Sequence, residues 1–73
     1  MKLLLYGTLS CHLCTQAEAV LHAAGVTAEY TDIAEDEALL EKYGMRIPVV
    51  SRVDNGAELG WPFDVAALKH FAA

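Results

Sequence analysis

Two cysteines, Cys11 and Cys14, stand where a short apolar run gives way to a helical pattern, and no other feature of this chain narrows its fold so far. The run Lys2 to Tyr6 ends at Gly7, and its consecutive apolar positions predict a short central strand covered on both faces. After Thr8-Leu9-Ser10, Leu13, Ala17, Val20, Leu21 and Ala24 recur at helical spacing, with Gly25 placed to stop the helix. The cysteines therefore fall in its first turn, close enough for their sulfurs to bond.

A helix start carries unpaired backbone N–H groups and a partial positive charge, which favour a thiolate over a thiol. Cys11 is expected to be the more acidic and more exposed sulfur, the one that attacks a disulfide. Cys14, one turn inside, is expected to resolve the mixed disulfide by attacking Cys11. His12, if partly protonated beside Cys11, lowers the thiol pKa; otherwise it is an exposed first-turn residue with no dedicated role. Two other readings of the pair stand beside this one. Both cysteines are small core residues, or they bind zinc or copper with His12, although a structural zinc site wants four ligands and there is no second pair, His22 and His70 being poor substitutes.

Downstream, Thr27 to Asp32 reads as a second strand, continued at most briefly by Ile33. Glu35, Asp36 and Glu37 put negative charge at the start of a short helix whose apolar face is Leu39, Leu40 and Tyr43, and Gly44 ends it. Strand character resumes at Ile47-Pro48-Val49-Val50, where Pro48 fits only at the beginning, since proline cannot donate to a ladder. Asp54-Asn55-Gly56 predicts a tight hairpin turn into Glu58-Leu59-Gly60. Asp64 is placed to cap a last helix in which Val65, Leu68, Phe71 and Ala72 share a face. Leu3, Leu4, Leu5, Val20, Leu21, Val49 and Leu68 are assigned to the core alone. The order implies parallel pairing through a right-handed crossover, an added antiparallel pair, and an α/β fold with a small mixed sheet.

Seventy-three residues make a single domain, 1–73, near the lower limit for one core. Ten acidic residues against five basic ones, net charge -5, with no basic cluster, would repel a phosphate backbone, so nucleic acid is not an expected partner. The longest apolar stretch is far short of the roughly 20 residues that span a bilayer. Met1-Lys2-Leu3-Leu4-Leu5 imitates a leader, but the apolar part is short, and Thr8 stands where a lipidation site before Cys11 would prefer leucine. The expectation is a cytoplasmic protein with reduced thiols, no membrane partner, and a monomeric state.

Several segments together resemble the small glutaredoxin-like proteins of the thioredoxin fold. They are Leu5-Tyr6-Gly7 leading into Cys11-x-x-Cys14, Ile47-Pro48-Val49 opening the third strand, and Leu59-Gly60-Trp61-Pro62-Phe63-Asp64 before the last helix. The resemblance spans essentially the whole chain and looks closest to a glutaredoxin-like group with a Trp-Pro-Phe-Asp segment. It implies a minimal βαβαββα thioredoxin fold with a four-stranded mixed sheet and three helices. It also implies a cis Pro48 packed beside Cys11 and Cys14, with the Ile47 backbone offered to an extended thiol substrate. Asp64 matches the place where glutaredoxins hold the amino-acid end of glutathione, although a plain cap explains it as well. Ordinary glutaredoxins have proline and an aromatic between the cysteines, a basic residue shortly before them, and Gly-Gly before the final helix. Here those places hold His12 and Leu13, Thr8, and Gly60-Trp61, which removes a contact to the glutathione glycine carboxylate. Arg46 either replaces part of that charge or is a solvated loop residue. Trp61 is either a lid on the thiol site or packing over a sheet edge.

The function these features predict is thiol–disulfide exchange by Cys11 and Cys14, with no bound cofactor and no metal. The substrate is a disulfide-containing protein or a low-molecular-weight thiol, glutathione serving as reductant or substrate. A copper or zinc handling module is the alternative, disfavoured because small copper carriers end in a strand. A further alternative is a non-catalytic adaptor of the same fold.

Overall fold

The structure is a computed structural model that describes residues 2–73, so the reading of Met1 as part of a leader-like start and as the first domain residue lies outside the described residues. In chain order the elements are β1 (Leu3–Gly7), α1 (His12–Ala24), β2 (Glu29–Asp32), a 3-10 turn (Ile33–Glu35), α2 (Glu37–Tyr43), β3 (Val49–Arg52), β4 (Glu58–Gly60) and α3 (Val65–Ala72). The strands form one sheet in the order β2-β1-β3-β4. β1 pairs parallel with β2 and antiparallel with β3, and β3 pairs antiparallel with β4. This is the minimal thioredoxin-like arrangement of four strands and three helices. Among the described residues no helix is long and apolar enough to cross a membrane.

Each helix starts and stops where its residues provide partners for the free backbone groups. Gly25, at φ 69°, ends α1 in the left-handed conformation that glycine adopts without steric cost, and Val26 N–H closes the end on the Leu21 carbonyl at 3.0 Å. Asp36 caps α2 through the N–H groups of Ala38 and Leu39, and Asp64 caps α3 through that of Ala67 at 2.8 Å.

Two apolar layers sandwich the sheet. On one face Leu3, Leu5 and Val50 meet Ala17 and Leu21 of α1 and Leu68 of α3, with Phe63 closing the end. On the other, Ile33, Tyr43 and Val49 form a smaller cluster flanked by Tyr6, Leu39 and Ile47. β1 is consequently covered unequally: Leu3, Leu5 and Gly7 are fully buried, whereas Leu4 and Tyr6, toward the shorter α2, are half-buried.

Local expectations shift for reasons of geometry. Leu13 and Leu40 are exposed, because α1 buries the stripe Cys14, Ala17, Leu21 and α2 turns Leu39 and Tyr43 inward; one residue along a helix is about 100° around it. Ile33 leaves the strand and becomes a fully buried plug in the 3-10 turn. The hairpin is wider than a two-residue turn. Only Gly56 has positive φ, at 72°, Gly56 N–H reaches the Arg52 carbonyl, and the Asn55 side chain accepts from Ala57 N–H. The side-chain bond lets Asn55 stay in an ordinary backbone conformation.

Candidate active site

Cys11 is itself the cap of α1. Its backbone is extended (φ -83°, ψ 109°), and its sulfur accepts a hydrogen bond from Cys14 N–H at 3.1 Å. The Thr8 carbonyl accepts Cys11 N–H at 3.2 Å, so a tight turn sets the sulfur at the mouth of the helix. Cys11 and Cys14 are joined as a disulfide, their Cα atoms 5.2 Å apart. Cys11 is partly exposed, whereas Cys14 is only 3% exposed. His12, the first residue of α1, is exposed beside them.

Below Cys14 lies Gly7. A Cβ on Gly7 would stand 2.7 Å from Cys14 Sγ, so only glycine lets the sulfur settle at the end of β1. Pairing of Tyr6 with Val49 puts the next β3-side residue, Pro48, alongside Gly7. The Ile47–Pro48 bond is cis, Pro48 is buried, and its carbonyl accepts Trp61 N–H at 3.1 Å. The cysteines, Gly7, Pro48 and Trp61 thus gather at one end of the sheet. Ile47 N–H is already given to the Tyr43 carbonyl at 3.1 Å, so it is not free to donate to a further strand.

The other expected residues have visible occupations. Trp61 packs into the main core layer, edge-on to Phe63 at 5.1 Å between ring centroids, and its own bond to Pro62 is cis. The Asp64 carboxylate caps α3. Arg46 donates to Glu58 at 3.3 Å and lies over the Tyr43 ring, so a carboxylate already accompanies its charge.

Sequence reasoning passed over two groups. The first is Tyr43 with Glu58. The Tyr43 hydroxyl donates to Glu58, whose carboxyl is held below the usual range by that bond first and by Arg46 and Lys42 after it. Burial, reinforced by the Glu58 bond, pushes the Tyr43 phenol up, and its ring stacks on Tyr6 at 4.5 Å. The second is a groove of about 420 Å³ bounded by Cys11, Cys14, Thr8, Thr15, Glu18 and Tyr30. Glu18 follows Cys14 by one helical turn, a spacing that places both on one side of α1 and was there to be seen.

Residues 2–72 match the family described as Glutaredoxin-like domain (DUF836). No curated protein matches the chain. Among solved structures, the X-ray structure of target protein XcR50 from X. campestris is 39% identical, with 96% of this chain and 93% of that one covered at a TM-score of 0.88. The solution structure of XcR50 is 40% identical over 99% of this chain and 92% of that one, at 0.87. Protein Ne2328 from Nitrosomonas europaea is 29% identical over 96% and 88% of the two chains, at 0.81.

Proposed function

This chain belongs to the Glutaredoxin-like domain family, and from that premise we propose that it is a dithiol–disulfide oxidoreductase. The observation that carries the proposal is the Cys11 sulfur at the cap of α1, accepting the Cys14 N–H, with Cys14 buried one turn behind. A negative charge on that sulfur is stabilised by the bond and by the helix dipole, and the thiolate is the attacking species.

In the reduced protein the Cys11 thiolate attacks a substrate disulfide, forming a mixed disulfide and releasing one substrate thiolate. Cys14, as thiolate, then attacks Cys11 Sγ, closes the Cys11–Cys14 bond and releases the second. Two electrons pass from the protein dithiol to the substrate, and the protons lost by the cysteines appear on the substrate thiols. No organic cofactor is needed; glutathione or a reductase returns the electrons. The substrate is a protein disulfide or a small thiol, the protein acts as a cytoplasmic monomer, and Ile47, Pro48, His12, Trp61, Arg46 and Asp64 are its proposed substrate surroundings. A metal carrier of ferredoxin-like fold is disfavoured by the final element, the helix α3.

The test is titration of the Cys11 thiolate in the reduced, metal-free protein, followed by ultraviolet absorbance with a Cys14→Ser control. A pKa well below the free value of about 8.5 is expected. A value at or above it overturns the proposal.

A further inference from the structure

The groove beside the disulfide lies on the opposite side of Cys11 and Cys14 from Pro48, since β2 and β3 flank β1 on its two edges and Tyr30 of β2 forms its wall. Glu18 is the one charged residue in its lining. Among the described residues Glu18 enters no ion pair, while Lys2, Lys42, Arg46 and Arg52 are each engaged with carboxylates elsewhere. The fifth basic residue, Lys69, is in the last turn of α3. A second carboxylate, Asp32, acts with Glu18 on the Tyr30 phenol, which burial first and these charges next push up. The lining of the groove therefore holds one carboxylate and no lysine or arginine.

It also continues. A further depression of about 240 Å³ shares Glu18 and Tyr30 with the first and runs over Leu21, Val26 and Ala28, past His22, along the seam between α1 and β2. A small aminothiol would fill only the mouth of such a trough, whereas a polypeptide segment follows its length.

We propose that this groove is a specificity site for polypeptide disulfides carrying a lysine or arginine beside the cystine, and that the Glu18 carboxylate receives that cation. The inference rests on the dithiol-exchange reading and names its substrate class. The chemistry is unchanged: Cys11 takes one substrate sulfur, the other leaves as thiolate, and Cys14 displaces the first. Glu18 contributes by holding the neighbouring cation, so its effect depends on substrate charge. An influence of Glu18 on Cys11 basicity would instead alter every substrate alike.

The experiment measures the rate at which the reduced protein exchanges with short peptide disulfides identical except for Lys, Gln or Glu beside the cysteine, at low salt. The lysine peptide should outpace the glutamine peptide, and the glutamate peptide should lag behind both. Glu18→Gln should lower the lysine-to-glutamine ratio about fivefold, roughly the strength of one water-exposed ion pair at contact. Glu41→Gln, which removes the same charge from the exposed side of α2, should leave the ratio unchanged. An unaltered ratio in Glu18→Gln overturns the groove, and an equal fall in Glu41→Gln overturns it in favour of the net charge of the protein. Cystamine reacting as fast as the lysine peptide overturns the assignment to a polypeptide. Absence of exchange even with the glutamine peptide overturns the dithiol reading itself.

Discussion

Gly7 and Cys14 occupy adjoining space so closely that a single methyl group on Gly7 would lie 2.7 Å from the Cys14 sulfur. The same point is 3.3 Å from Cys14 Cβ and 3.4 Å from the Tyr30 ring, so the added methyl has Cys14 against it at two atoms. Gly7→Ala should destabilise the protein by about 1–3 kcal/mol, the usual cost of overpacking a filled interior. Urea unfolding of the oxidised and the reduced forms measures it. A variant as stable as the parent in both would show that the sulfur is not seated against this strand.

The roles of the two sulfurs separate in single substitutions. Cys14→Ser removes the resolving thiol, so a mixed disulfide between Cys11 and a substrate thiol should accumulate and persist. Cys11→Ser should form none at neutral pH, because the remaining sulfur is buried. Mass spectrometry after mixing with a small disulfide distinguishes these outcomes, and equal adduct formation by both variants would contradict the division.

Asp64 is expected to act on stability. Asp64→Ala loses the bond to Ala67 N–H and should cost about 1 kcal/mol, while Asp64→Ser, which keeps a capping oxygen, should recover most of it. Exchange with a neutral disulfide should be unchanged in both. A glutathione-dependent rate that falls in the serine variant as well would add to the cap the substrate role proposed for the carboxylate.

The Tyr43–Glu58 pair predicts a stability profile with two limbs. Glu58 has a lowered pKa in the folded state, so its contribution is present above the ordinary glutamate value of about 4.3 and is lost as pH falls through the lower folded value. Tyr43 has a raised one, so its contribution is present below about 10 and is lost as pH rises through the higher folded value. In urea unfolding across pH, Glu58→Gln should flatten the acid limb. Tyr43→Phe should flatten the alkaline limb and cost about 1–2 kcal/mol at neutral pH through the lost hydrogen bond. Profiles parallel to that of the parent would remove the pair as their cause.

The parts of this protein legible in its residues are those decided by nearest neighbours in sequence. Gly25 stops α1, Asp64 caps α3, and Cys11 with Cys14 shares the first turn of a helix, all because the relevant partners are within a few residues. The cis Ile47–Pro48 bond was legible only through family resemblance, since nothing in the dipeptide itself demands it. Contacts between distant elements were not legible. Glu58 meets Tyr43 and Arg46 because β4 is laid beside β3, and Glu18 gains its setting only when β2 brings Tyr30 alongside α1. Hydrophobicity misled at Leu13 and Leu40, where an apolar side chain lies just outside the buried stripe of its helix.

β1 is the first strand of the chain and lies inside the sheet, with Leu5 opposite Tyr30 on one side and opposite Val50 on the other. The first partner comes after one helix, the second only after most of the chain. Pairings so distant in sequence impose the largest loop-closure entropy and form slowly. The ground beneath Cys14 is the last residue of that strand, and Pro48 arrives with the distant partner. A nascent or partly unfolded chain without these pairings therefore leaves Cys14 with neither its seat against Gly7 nor Pro48 alongside that seat.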